Sequence, residues 1–396
     1  MLHAHNKSVI VILIFAIPAL MATGIDLYVP SLPEIRHYFS ATSSMVKLTV
    51  GFYMLGYGGS PIFFGILSDS YGRRKILLIS AFVFFIASIC AIFAPNIYFL
   101  LGLRLLQGIA IGGVGLVVNS LLTDSFTGIA LAKMASYMTI SWALGQIMGP
   151  FVGSHLQHYF GWQASFYYFA LHGLFIFIIT FFWLPETNRY LRPCKMSHAL
   201  SAHLKILKHP VFISGVLIMT LVQSISTIFS TLGPFIIQDT MKYSAITYGY
   251  VGLSMGLAYF LGGLSNRLFI NFIDSLQAAF FGLVCLIVIS CLMVLFSVYF
   301  GANLFIIIVP SFFIFYCNGI IFPNCLGKCL GIFPESAGSA SAVLESFFGV
   351  GTFFMSLIAA LLKSTTQLPI AVTFVCLSIL GLIIYNYRFR VSRKVW

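Results

Sequence analysis

Charge is what this chain has least of. Only 8% of its 396 residues are charged, and the acids are scarcer than the bases, nine against 21. A soluble globular domain carries roughly 25% charged residues, so a soluble fold is excluded. Signatures of common chemistries are missing too: no H-E-x-x-H, no G-x-S-x-G and no phosphate-binding glycine loop. Neither an enzyme nor drive by ATP is expected. The eight cysteines include no C-x-x-C pair, which argues against a zinc site or a disulfide framework. Cys194 lies in a polar loop, and the other seven, in or at the end of apolar stretches, read as small apolar side chains. No cofactor and no metal is expected.

What is present is apolar. Sixty per cent of residues are hydrophobic and the mean hydropathy is +1.02. A spanning helix needs about 20 apolar residues, and hydropathy places twelve, at 8–30, 45–68, 75–94, 97–123, 132–157, 164–185, 210–237, 244–266, 275–298, 302–327, 336–362 and 367–387. The first run is too long for a signal peptide and shows no small-x-small cleavage pattern, so it reads as a retained helix. Six spans, a polar break from Glu186 to His209 and six more suggest two parallel repeats. The expected architecture is an all-α integral membrane protein. It comprises a six-helix N-terminal bundle (1–187), a cytoplasmic linker (188–209) and a six-helix C-terminal bundle (210–396).

The net charge of +12 would suggest nucleic acid in a soluble protein; here its distribution matters more. With both termini inside, only Arg36, Lys47, Lys242 and Lys363 fall outside, Arg104 lies within a span, and the remaining sixteen cations are cytoplasmic. That asymmetry over short loops favours both termini inside. The expected setting is the cytoplasmic (inner) membrane. A lipid bilayer, a small-molecule substrate and protons are the expected partners, with no nucleic acid and a monomeric chain.

The polar stretch Gly65-Ile-Leu-Ser-Asp69-Ser-Tyr-Gly72-Arg73-Arg74-Lys75 joins the second and third spans. An ordinary positive-inside loop is one reading. Its spacing, however, resembles the G-x-L-x-D-x-x-G-R-R/K signature of major facilitator superfamily transporters. That resemblance implies that Asp69 pairs with a neighbouring arginine and with a helix N-terminus, holding the two halves together and closing the cytoplasmic face. A hydrated pair is worth only about 0–1 kcal/mol, enough to bias two states but not to lock one. Gly262-Gly263-Leu-Ser-Asn266-Arg267 reads as its degenerate second copy, without the acid.

Three further stretches sharpen the likeness. Asp26-Leu-Tyr28-Val-Pro30-Ser-Leu-Pro33 resembles the T-D-x-Y-L-P-x-L-P end of helix 1 in bicyclomycin- and chloramphenicol-resistance (Bcr/CflA-type) drug:proton antiporters, with Gly24-Ile25 where Ser-Thr is usual. A carboxylate within a span costs about 2.5–3.5 kcal/mol and usually faces a cavity, unless Asp26 lies near enough to the surface to be hydrated. The family implies a carboxylate available to protons and to cationic substrates. Arg104-Leu-Leu-Gln107-Gly108 resembles the superfamily's R-x-x-Q-G motif, which implies a role in proton transfer or in tuning a nearby acid; snorkelling to the outer interface is the alternative. Gly145-Gln-Ile-Met-Gly149-Pro150-Phe-Val-Gly153-Ser154 resembles the G-x-x-x-G-P-x-x-G-G motif of drug/proton antiporters, with Ser154 replacing the last glycine.

Glu345, well inside the eleventh span, matches no motif. It reads either as a second cavity carboxylate or as a hydrated residue at a cytoplasmic mouth. His172 reads as a packed neutral histidine. The expected function is proton-coupled efflux of drugs or other small amphipathic molecules by alternating access. The alternative is a carrier, exporting or importing, for one metabolite such as an amino acid, sugar derivative or siderophore.

Overall fold

In lipid every backbone polar group must be satisfied within the protein, which leaves helices as the way for such apolar runs to cross. The computed structural model describes residues 4–188, 206–269, 272–333 and 337–389, and among these no strand occurs. Cys194, the cations Arg189, Arg192, Lys195, Lys205, Arg390, Arg393 and Lys394, and most of the linker lie outside the described residues.

The N-terminal half comprises α1 (Ala4–Asp26), the short α2 (Leu32–Tyr38), α3 (Ser43–Gly59), α4 (Pro61–Tyr71), α5 (Arg73–Ile92), α6 (Ile97–Ser125), α7 (Gly128–Phe160) and α8 (Gln163–Trp183). The C-terminal half comprises α9 (Pro210–Pro234), α10 (Ala245–Phe269), α11 (Ser275–Phe300), α12 (Leu304–Ile332), α13 (Ala337–Leu361) and α14 (Leu368–Ile384). Nine of these helices, with the bent α3–α4 pair as a tenth, are long and apolar enough to cross a bilayer. The other two spans, α7 and α10, have the length but are less apolar, and they pack on each other between the halves.

Local chemistry sets the breaks. Asn96 and Asn303 cap α6 and α12 by accepting from Phe99 N and Phe305 N, both at 2.9 Å, and Asp274 opens α11 with a capping box. Pro61 cannot donate to the Tyr57 carbonyl, so the second span bends by 43° between α3 and α4. The Ser60 hydroxyl turns back to that carbonyl at 3.4 Å.

Close backbone approaches reveal the repeat. In the first half Gly56 faces the α6 backbone at Leu105–Gly108, and Gly108 faces the Tyr53 carbonyl. In the second half Gly262 faces α12 at Tyr316–Gly319, and Gly319 faces the Tyr259 carbonyl. The register thus matches Tyr53 with Tyr259, Gly56 with Gly262 and Gly108 with Gly319. Gly262 corresponds to Gly56 and not to Gly65, which corrects the reading of 262–267 as a second polar turn. Its residue Asn266 instead accepts from Asn324 Nδ2 at 2.7 Å, inside the bundle.

Two crossings join the halves. On one, Gly58 of α3 meets Gly349 of α13; on the other, Pro150 of α7 meets Gly252 of α10. Small residues at both allow the backbones to approach closely.

Candidate functional site

The site begins where α1 stops. Leu27 N bonds Thr23 O and Tyr28 N bonds Ile25 O, so the Gly24 carbonyl has no backbone partner. Arg104, fully buried on α6, supplies one: its Nη2 donates to Gly24 O at 3.0 Å. Its Nη1 donates to Gln107 Oε1 at 3.0 Å, and Gln107 Nε2 donates to Ser88 Oγ at 2.8 Å. The guanidinium lies between the rings of Tyr28 and Tyr53, 4.4 and 4.3 Å from their centroids. Tyr28 is held in turn by Thr49 at 2.9 Å. A cation on a helix C-terminus between two aromatic faces is a compensated charge, and it does not snorkel.

Asp26, the last residue of α1, is only partly buried and lines a cavity between the halves. Gln146 and Pro150 stand with it on the N-terminal side; Phe229, Ser230, Tyr248, Met255, Tyr259 and Phe315 form the facing wall. Its carboxylate makes no hydrogen bond or ion pair with a described residue. Arg104, engaged by the Gly24 carbonyl, leaves it free. Glu345 on α13 is partly buried and accepts from Asn119 Nδ2 of α6 at 3.3 Å, and it forms no ion pair with a described residue.

The glycines of α7 face inward within their own half. A Cβ at Gly145 would meet Ala22, at Gly149 the Cβ of Asp26 (2.9 Å), and at Gly153 the Leu27 backbone. They press α7 against the end of α1 that carries Asp26. The intervening Ile147, Pro150 and Ser154 project to the other side, against Gly256, Gly252 and Gly249 of α10. One stretch thus sets both the position of the carboxylate and the crossing between the halves.

The polar turn is built differently from its expected form. Asp69 Oδ1 pairs with Arg73 Nη1 at 2.6 Å, and Arg73 also reaches Asp124 at 3.4 Å and Ser68 at 2.8 Å. The N-terminus of α5, however, is capped by Glu186: its carboxylate accepts from Arg73 N at 2.9 Å and Arg74 N at 3.2 Å. Gly72, at φ +95°, lies directly under that carboxylate, where a side chain would collide. Arg74 donates to Phe181 O at 2.7 Å, and the Lys75 ammonium sits over the Tyr71 ring. Gly65 faces Leu116 of α6. All these partners belong to the first half, so the cluster ties α4, α5, α6 and the end of α8 together and does not bridge the halves.

Bridging occurs on the opposite face. Arg36 pairs with Asp239 at 3.3 Å, Gln238 Nε2 donates to Pro30 O at 2.9 Å, and the buried Lys47 ammonium donates to Leu362 O at 2.9 Å. Each of these joins one half to the other. At the turn face no ion pair does so among the described residues, and along α7 none of residues 127–140 is buried. The ion pair between the halves thus lies at one end of the interface, and towards the other the Asn119–Glu345 bond joins them.

The family profile described as Major Facilitator Superfamily matches residues 14–356. The chain belongs to the major facilitator superfamily. An uncharacterized transporter of Rickettsia bellii is 26% identical over 374 residues, 91% of this chain and 92% of that protein. The multidrug resistance protein MdtL of Salmonella paratyphi C is 29% identical over 252 residues, 62% of this chain and 63% of its own. Among solved structures, a D-xylose-proton symporter superposes with a TM-score of 0.75 at 16% identity, covering 96% of this chain and 98% of that one. At such identity the likeness is one of fold.

As a superfamily transporter the chain is a multi-pass membrane protein, not an enzyme. Its structure brings Asp26, Arg104, Gly149 and Pro150 to one place, sets Glu345 at another depth, and puts Gly65, Asp69, Gly72, Arg73, Arg74 and Lys75 in a separate cluster. His172 donates from Nε2 to Ala16 O at 2.9 Å, a structural contact. Sequence reasoning missed Glu186, Lys47 and Asp239. Glu186 and Asp239 carried a readable signal, as two of only nine acids in the chain.

Proposed function

We propose that this chain is a proton-coupled exporter of drugs or other small amphipathic molecules, of the Bcr/CflA type, in the cytoplasmic membrane with both termini inside. The observation that carries the reading is the unpaired carboxylate of Asp26 in the cavity between the halves. A carboxyl in a desolvated site holds its proton, and an approaching cation favours release. A cationic substrate and a proton therefore compete for one group, and the two leave in opposite directions as the halves rock. The facing wall of aromatic and methionine side chains suits apolar, aromatic substrates, and the relatives named for multidrug resistance agree with this range.

In this orientation the turn face is cytoplasmic and the face carrying the Arg36–Asp239 pair is the outer one. Susceptibility of a host stripped of its own pumps tests the proposal, with ethidium, norfloxacin and chloramphenicol as probes and a proton uncoupler as control. Uncoupler-sensitive protection that disappears with Asp26→Asn is expected. Protection unchanged by Asp26→Asn would sink the role of Asp26, and no protection against any probe would favour a carrier of one metabolite.

A further inference from the structure

Two carboxylates line the space between the halves at different depths. Asp26 stands beside the Arg104 cluster, whereas Glu345 meets Asn119, further along α6 towards the turn face. At about 1.5 Å per helical residue, Asn119 lies roughly 20 Å beyond Arg104. Within that interval stand Tyr53 and Tyr57, one helical turn (about 5.4 Å) apart on α3, which are 1% and 9% exposed. The Tyr53 hydroxyl is buried without a hydrogen-bond partner, lies against the α1 backbone at Gly24, and belongs to the ring stacked on Arg104. Asp26 is within its electrostatic reach. The Tyr57 hydroxyl also bonds no described residue, and its electrostatic neighbours are Glu345 and Tyr53. A buried hydroxyl left unpaired costs about 1–3 kcal/mol. That of Tyr53, unpaired between Gly24 and the Arg104 guanidinium, calls for a function.

We propose that Tyr53 and Tyr57 form a proton relay along α3 that joins Asp26 to Glu345, with water filling the gaps. The relay deepens the proton-coupled reading and rests on it. In each hop a hydroxyl oxygen accepts a proton from the Asp26 side while its own proton passes to the next oxygen. Each tyrosine is thereby regenerated, and the net change is one proton moved from the Asp26 carboxyl to the Glu345 carboxylate. With the turn face open, Glu345 delivers that proton to the cytoplasm. The proton leaves along α3, while substrate occupies the cavity walled by Phe229, Tyr248 and Met255. Separate routes let a bound substrate displace the proton without blocking its exit.

The test uses the full chain in liposomes with a trapped pH dye and ethidium as the probe. Wild type is compared with Tyr53→Phe, Tyr57→Phe and Glu345→Gln. Phenylalanine keeps both rings, and melting temperatures check that the fold is intact. Gradient-driven ethidium transport and the accompanying proton flux are expected to fall on the order of tenfold in each variant. Ethidium exchange at equal pH on both sides, which needs rocking but no net proton movement, should change less than twofold. Wild-type proton flux in both phenylalanine variants overturns the relay, and so does exchange that falls in step with flux, because that marks a structural role. A wild type that carries ethidium without consuming the gradient overturns proton coupling itself, and the wild-type arm alone reveals it.

Discussion

The two halves share a scaffold and differ in what is mounted on it. Matched through the pairs Tyr53/Tyr259 and Gly108/Gly319, Arg104 of the first half falls opposite Phe315 of the second, and Gln107 opposite Asn318. Where the first half places a cation, the second places a ring that packs on Phe229 at 5.4 Å. Where Gln107 bonds Ser88, Asn318 is buried with neither side-chain atom partnered. Where Ser60 faces Gly112 in the first half, the second has the neutral Asn266–Asn324 pair. The backbone repeat is therefore kept by small residues at helix crossings, while of the matched positions Arg104 and Phe315 only the first-half member is charged. A rocking carrier needs both halves to move but not the same side chains in each, and this division meets that need.

The sharpest way to break the comparison is at the matched positions. Arg104→Leu leaves the Gly24 carbonyl and the Gln107 amide oxygen buried without that donor, at about 1–3 kcal/mol each. A loss of several degrees in melting temperature and of gradient-driven efflux is expected. Phe315→Leu removes part of one aromatic contact, costs about 1 kcal/mol and leaves the proton response in place. If Phe315→Leu damages stability as much as Arg104→Leu, the asymmetry is wrong. By contrast, Gly108→Val and Gly319→Val should act alike. Each drives a side chain into a tyrosine carbonyl across a crossing, with overpacking costs of about 1–3 kcal/mol. Unequal losses in a melting assay would show that the register of the repeat is misplaced.

Much of this was readable in the residues alone. The twelve spans follow from hydropathy, because each long apolar run has only one way to satisfy its backbone in lipid. Even α7 and α10, less apolar than the rest, were found where expected. The residues Asp26, Arg104 and Pro150 stand out because a charge or a proline in such a run needs a reason. The direction of each contact was not readable. That Glu186, not Asp69, caps α5 depends on how the chain folds back after α8, across more than a hundred residues of sequence. Lys47 looked like an ordinary outer cation, and its burial depends on where α13 ends. The 262–267 likeness to the polar turn is one of letters, and packing assigns it to a different level of the bundle.

Opposite-face closure offers a subtler test. Asp239→Asn removes the acid that Arg36 reaches across the halves, a partly exposed pair worth about 0–1 kcal/mol. Its loss should raise the population open at that face by up to about fivefold, since 1.4 kcal/mol is tenfold. Spin labels at Phe93→Cys and Tyr299→Cys, one in each half, would report this as a longer distance component. An unchanged distribution would mean that Lys47 and Gln238 hold the face by themselves.

The smallest expected effect compares how each half starts its equivalent helix. Glu186 caps α5 from a distant segment with a full negative charge, and Asp274 caps α11 from the adjacent position. Replacing Glu186 by Gln keeps an oxygen for one N–H, loses the second acceptor and removes the charge from the helix terminus, worth about 0.3–1 kcal/mol. Asp274→Asn keeps the cap almost whole, because asparagine serves nearly as well as aspartate there. Glu186→Gln should therefore lower the melting temperature slightly and loosen the segment after α8, seen as faster hydrogen exchange at Arg73 and Arg74. Asp274→Asn should do neither. Equal effects would mean that the ionic cluster of the first half does no more than cap a helix, and that the concentration of charge there owes nothing to the turn.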